Sequence, residues 1–142
     1  MDRKVVERFH HAAIRLLRAL RAVDEAGGFS GPRASALSVL VFRGPQSLAG
    51  LAAAEGVKPP TMSRLVKAMQ EEGLVEAEAS AHDQRSITIR ASARGKRLML
   101  EARARRLAAI AKMIEGASTA EGAALRTVTD MLERSLDGKA RR

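Results

Sequence analysis

The residues with the clearest potential for chemistry lie between Ser47 and Gly73, where hydroxyl side chains and cations occur among apolar residues at helical spacing. Two short helices joined by a tight glycine-containing turn are typical of a helix-turn-helix, with an ordinary amphipathic helix pair as the alternative. On the exposed face of the second helix, arginine can pair with guanine or phosphate, while serine and threonine bond phosphates or base edges. We also expect unpaired backbone N–H groups and a positive dipole end at its N-terminus. The candidate contact residues are Lys58, Pro60, Thr61, Ser63, Arg64 and Lys67.

In the segment that follows this helix directly, apolar residues occur at every second position instead of at helical spacing. Arg85, near the polar centre of the stretch, is suited to a narrow minor groove, because the negative potential there attracts a guanidinium. Asp83 would orient Arg85 or another cation through a charge-assisted bond; the alternative is a turn residue that bonds its own backbone. The alternation predicts a two-stranded hairpin, or wing, and is the only strand signal in the chain. Its apolar positions are Val75, Ala77, Ala79, Ile87, Ile89 and Ala91.

Composition restricts the class of partner. The 142 residues suit one domain and carry a formal net charge of +9, with arginine supplying 19 of the 25 cations. Nucleic acid and an anionic membrane surface are therefore the first partners to consider. The absence of cysteine excludes disulfides and thiolate metal sites, and the aromatic content of 2% disfavours base-stacking platforms. The N-terminus does not resemble a signal peptide, and no apolar run approaches the roughly 20 residues of a membrane span. A cytoplasmic location is predicted.

Helices must position the candidate residues, and their boundaries follow from caps and glycines. The fold class is predicted as mainly α (α+β): a winged helix-turn-helix with a two-stranded wing, flanked by N- and C-terminal helices. The predicted helices are 4–25, one from Pro32 to before Gly44, one from Ser47 to Gly56, one ending at Gly73, one from Ser92 to about Ile114, and one after a capping box at Ser118–Glu121.

Other residue types offer weaker candidates. No Ser-His-Asp set, phosphate loop or paired carboxylates point to an enzyme, and no cofactor is expected. The histidines His10, His11 and His82 lack metal-ligand spacing, so no metal is expected. Residues expected to be core filler are Phe9, Phe29, Phe42, Met113 and Met131. Cations that could neutralise an acidic ligand, with surface solvation favoured, are Arg15, Arg18 and Arg43.

Two segments resemble the MarR family of bacterial transcriptional regulators: VKPPTMSRLVKAMQEEGLV from Val57 and HDQRSITIRASARG from His82. The second matches the family pattern of Asp-x-Arg, an alternating strand, Leu-Thr, two residues and Gly. Ala91 stands where the pattern has Leu, which removes a core-facing side chain, and Ser92 stands where it has Thr.

The resemblance implies one MarR-type domain over 1–142, in which 4–26 and 93–137 form dimerisation helices and 32–92 forms the winged helix-turn-helix. It also implies a homodimer on a pseudopalindromic double-stranded operator, acting as a cytoplasmic, nucleoid-associated repressor. The effector would be a small aromatic or acidic molecule, or there is none, since the thiol switch of some members requires cysteine. The cations predicted to face DNA are Lys58, Arg64, Lys67, Arg85, Arg90 and Arg94, while Arg103, Arg105 and Arg106 are expected to be solvated.

Other functions remain open at this point. A non-sequence-specific architectural DNA-binding protein would bind scrambled duplexes equally well. A protein-interaction module would present a neutral or acidic recognition face, and a membrane-binding helix would carry Trp or Phe on its insertion face.

The wing generates a first prediction. Arg85→Ala should weaken DNA binding because it removes a minor-groove or phosphate contact, while the thermal midpoint changes little because the residue lies in a polar tip. A gel-shift titration and a melting curve on the same preparation measure both effects. A drop in thermal midpoint that matches the loss of binding would assign Arg85 to the fold instead.

Overall fold

The structure, a computed structural model, describes residues 1–79 and 87–140, with the backbone alone for 137–140. Asp83, Arg85 and His82 lie outside the described residues. The chain divides into two compact units, 1–109 and 110–142. Its elements are mostly helical, as predicted: α1 (Arg3–Ala26), α2 (Gly31–Phe42), β1 (Gln46–Ser47), α3 (Leu48–Glu55), α4 (Pro59–Glu71), β2 (Val75–Ala79), β3 (Ile87–Ala91), α5 (Ala93–Met113) and α6 (Thr119–Ala140).

The helix boundaries lie where caps and glycines predict them. The Ser47 hydroxyl accepts a hydrogen bond from the Gly50 N–H (3.0 Å) at the start of α3. Gly56 then ends α3 at a φ of 64°, and Gly73 follows α4 at a φ of 69°. Glycine adopts this left-handed conformation without the penalty that a Cβ imposes. The turn between α3 and α4 is therefore fixed by local sequence.

The core of the 1–109 unit lies beneath the apolar face of α4, which carries Met62, Val66 and Met69. Every helix from α2 to α5 and the strand β3 contribute to it, as the three-and-four spacing of apolar residues requires. Its largest fully buried side chains are Leu37, Leu51, Met62, Met69, Leu74, Ile89 and Met99.

The sheet has three strands in the order β1-β3-β2, all antiparallel. The predicted hairpin is confirmed, with Val75 opposite Ala91 and Ala79 opposite Ile87. The additional strand pairs Gln46 with Ile89. It was not predicted, because two residues are too few to show alternation.

One backbone junction joins α4, the hairpin and α5. The Ser92 N–H donates to the Leu74 carbonyl (3.0 Å), and the Ser92 hydroxyl donates to the Gly73 carbonyl (2.6 Å). The same hydroxyl accepts from the Gly95 N–H (3.0 Å), so it caps α5 as predicted. A Cβ on Gly95 would overlap the Leu74 carbonyl oxygen and lie 3.1 Å from Leu37 Cδ1. Only glycine allows this close approach.

The 110–142 unit contains α6, which starts at the predicted capping box. The Ser118 N–H donates to Glu121 Oε2 (2.8 Å), and the Glu121 N–H donates to the Ser118 hydroxyl (3.3 Å). The Ser118 hydroxyl also donates to Glu121 Oε2 (2.7 Å), and this bond, together with the bond from the Ser118 N–H, lowers the pKa of the Glu121 carboxyl. The prediction that Met113 and Met131 are core filler is wrong, since both are exposed. The apolar seam of α6 is largely exposed as well: Leu125, Val128, Met131 and Leu136.

Within the described residues, no helix has the length and apolar character that a bilayer crossing requires.

Gly95→Ala should lower the free energy of unfolding by about 3 kcal/mol, because the new methyl group has to displace the Leu74 backbone. Urea unfolding measures the change. Gly122→Ala in α6 is the matched control: its Cβ would meet nothing within 4 Å, so we expect a gain of about 0.5–1 kcal/mol. Equal effects at both positions would contradict the close approach at Gly95.

Candidate nucleic-acid interface

Helix α4 has one buried face and one exposed face. Met62, Val66 and Met69 repeat at intervals of four and three residues and are buried in the core. This packing fixes the rotation of the helix about its axis. The six candidate residues are all exposed: Lys58, Pro60, Thr61, Ser63, Arg64 and Lys67.

The exposed face of α4 is basic. Its three cations are Lys58, Arg64 and Lys67, and the first turn of the helix has no acidic residue. Within the described ranges, none of the three forms an ion pair with a carboxylate. With the positive end of the helix dipole beside Lys58, the face favours a polyanion.

The prediction of unpaired N–H groups at the start of α4 is wrong. Pro59 and Pro60 occupy the first two helical positions and have no N–H to offer. The next two donors, of Thr61 and Met62, both bond the Lys58 carbonyl, at 3.0 and 3.1 Å. The two prolines were visible in the sequence and could have prevented the error. Phosphate contacts at this end therefore depend on side chains and the dipole.

The other end of α4 is held by an ion pair. Arg33 Nη1, in the first turn of α2, donates to both carboxylate oxygens of Glu72, at 2.7 and 2.6 Å. A carboxylate at the C-terminal end of a helix opposes the dipole, and Arg33 offsets that repulsion. Both side chains are about 40% exposed, so the pair is partly screened by solvent. Sequence reasoning missed it because 39 residues separate the partners.

The outer face of the hairpin carries a second ion-pair cluster. Arg90 Nε donates to Glu76 Oε2 (2.9 Å), and its Nη2 pairs with Glu78. The hydrogen bond that Arg90 donates to Glu76 and the negative charge of Glu78 raise the pKa of Arg90. The prediction that Arg90 directs positive charge to DNA is therefore wrong, since two carboxylates more than neutralise it. Arg94 is exposed, in agreement with its predicted role, which the structure does not test.

The proposed wing contacts, Asp83 and Arg85, fall outside the described residues. Their roles stay predictions from the sequence.

Comparisons with known proteins agree with this geometry. A family model described as "MarR family" matches residues 27–86, which include α2, α3, α4 and β2. An HTH-type transcriptional regulator of Mycobacterium tuberculosis is 28% identical over 131 residues, 92% of each chain. A MarR family protein from Bacillus stearothermophilus has the same fold, with a TM-score of 0.82, 21% identity and coverage of 96% of this chain and 99% of that one.

The winged-helix part of this chain is therefore similar to the MarR family.

The curated relatives are named as transcriptional regulators, and the winged helix expected from the sequence is confirmed for this chain. NadR, solved in complex with 4-hydroxyphenylacetate, is also similar, with a TM-score of 0.64 and 16% identity over 90% of this chain and 91% of that one.

The 1–109 unit also has a cleft of about 650 Å³ between α1, α2 and the middle of α5. The volume is in the range of small-molecule sites. The apolar lining residues are Leu17, Leu20, Ala34, Val39 and Phe42, and the charged lining residues are Arg21, Asp24, Arg43, Glu55 and Arg106.

The cleft region corrects several predictions. Phe29 is buried, but Phe9 and Phe42 are about half exposed, and Phe42 lines the cleft. Arg106, expected to be solvated, bonds Asp24 through both its Nε and its Nη2, each at 2.7 Å.

Arg105 is not solvated either, contrary to the expectation from the sequence. Its Nε and Nη2 are buried without a hydrogen-bond partner among the described residues. The guanidinium packs so closely on Gly27 that a Cβ there would lie 2.6 Å from Nε. Arg103 is exposed, as predicted.

Arg64→Ala should weaken binding to the cognate DNA by about 1–3 kcal/mol and relax base preference at one position, if the guanidinium reads a base. Fluorescence anisotropy with single-base operator variants measures both effects. Arg103→Ala is the matched control, because it removes an equally charged, exposed arginine from α5. Equal losses for both variants would indicate a general charge effect and contradict a specific contact by α4.

Proposed function

We propose that this protein is a dimeric, sequence-specific double-stranded DNA-binding repressor, relieved by a small-molecule effector, in the bacterial cytoplasm. The observation that carries the proposal is the division of α4 into a buried apolar face and an exposed face of cations and hydroxyls. A helix of this kind suits the major groove, where Arg64 can reach guanine and the shorter side chains can reach phosphates or base edges. Asp83 and Arg85 would extend the contact through the wing.

Dimerisation is proposed through the helices within 4–26 and 93–137, with 32–92 as the winged helix-turn-helix. Exposed apolar side chains on these helices support it, since contiguous patches of this kind indicate a protein interface. A two-fold dimer implies a pseudopalindromic operator with half-sites about one helical turn apart. The exposed large apolar side chains of α1 are Val5, Val6, Phe9, Ile14, Leu16 and Leu17, the last of which also lines the cleft.

The cleft beside α1 and α2 is the proposed effector site. Phe42 and the leucines offer an apolar wall for an aromatic ring, and Arg21 and Arg43 offer partners for an acidic group. NadR, a structurally similar protein crystallised with 4-hydroxyphenylacetate, supports an aromatic acid as the class of effector. The cysteine-free sequence excludes a cysteine-based switch.

A non-sequence-specific architectural role is the second candidate, favoured by the net charge of +9. Titration of the protein against the intergenic DNA upstream of its own coding sequence, with a scrambled duplex of equal length, separates the two.

We expect binding to the upstream duplex to be at least about a thousandfold tighter at physiological salt, as is usual for specific sites. Indistinguishable affinities for the two duplexes would contradict the regulator and support the architectural role.

A further inference from the structure

Asp24 is a buried carboxylate in an electrostatically unfavourable place. It lies in the last turn of α1, where the negative end of the helix dipole repels a carboxylate, and it is only 9% exposed. Burial of a charge costs further free energy unless the charge is paired. The stability of α1 therefore does not explain why an aspartate occupies position 24.

Arg106 on α5 offsets both costs. The two side chains form a bidentate pair with parallel bonds of 2.7 Å, the geometry in which guanidinium and carboxylate interact most strongly. Among the described ion pairs this one is the least exposed, with 13% of the Asp24 side chain accessible. The pair joins α1 to α5 across 82 residues of sequence.

The pair also lines the cleft proposed as the effector site. The other charged lining residues are Arg21, Arg43 and Glu55, so the lining has three cations and two carboxylates. Of these cations, Arg106 already forms two hydrogen bonds with a carboxylate of the protein itself, that of Asp24. A carboxylate ligand that reached Arg106 would form the same two bonds that Asp24 forms now.

We propose that Asp24 is an internal competitor for the ligand carboxylate at Arg106, and thus a specificity-determining residue of the cleft. A ligand that takes over Arg106 displaces Asp24 and releases the last turn of α1 from α5. The affinity of the cleft for a carboxylate is set by the difference between these two pairings. This inference rests on the proposed effector site and adds the residue that opposes the ligand.

Isothermal titration of the full-length protein without DNA tests the proposal, with 4-hydroxyphenylacetate as the probe and its neutral amide as the matched ligand. Asp24→Asn should bind the acid about tenfold more tightly, because Arg106 loses its competing carboxylate. The affinity for the neutral amide ligand should change little. Glu55→Gln is the matched control variant, since it removes a negative charge from the same lining without freeing Arg106. We expect its affinity for the acid to rise less than that of Asp24→Asn.

The double variant Asp24→Asn/Arg106→Gln keeps the proposal testable if Asp24→Asn alone does not fold. It leaves no unpaired charge, and it should lose the tenfold gain in affinity for the acid, because Arg106 is no longer present to take up the carboxylate. Three results would overturn the proposal: equal gains in Asp24→Asn and Glu55→Gln, a double variant that keeps the tenfold gain in affinity for the acid, or no binding of the acid by any form. Because DNA is absent, failure of operator binding is a separate result that concerns only the regulator.

Discussion

The backbone junction at Leu74 is the constraint on which the interface depends. Three elements meet there: α4 ends at Glu71, two residues before Gly73, β2 begins after Leu74, and α5 begins after Ser92. The Ser92 hydroxyl bonds both the Gly73 carbonyl and the Gly95 N–H, and Gly95 leaves room for the Leu74 carbonyl. Because each of these contacts involves the backbone beside α4, β2 or α5, the direction in which α4 leaves the core is fixed relative to the hairpin and α5.

Because the position of α4 is fixed, its positive charges lie on one defined face of the protein. Arg33, Arg90 and Arg106 each pair with carboxylates within the 1–109 unit, so their charge supports the fold. By contrast, the cations of α4 extend from an exposed helix face, opposite residues that are fully buried. The net charge of +9 alone would suit any polyanion. Its distribution favours a helix that enters a groove.

Local structure could be predicted from the sequence, and long-range pairing could not. Ser47, Ser92 and the glycines act within a few residues, so their caps and turns were read correctly. Arg33 with Glu72 and Asp24 with Arg106 are 39 and 82 residues apart, and only the folded chain brings them together. Arg90 was misjudged for the same reason, since its carboxylate partners lie on the opposite strand. The exposure of Phe9 and Phe42 shows that apolar type alone does not decide burial.

Protection of guanine N7 from dimethyl sulfate tests most directly whether α4 reads the major groove as part of a dimer. The footprint is measured on the intergenic DNA upstream of the protein's own coding sequence, at saturating protein. We predict two protected segments about one helical turn apart, since N7 lies in the major groove and a two-fold dimer presents two copies of α4. Uniform protection along the duplex, or none, would contradict the account.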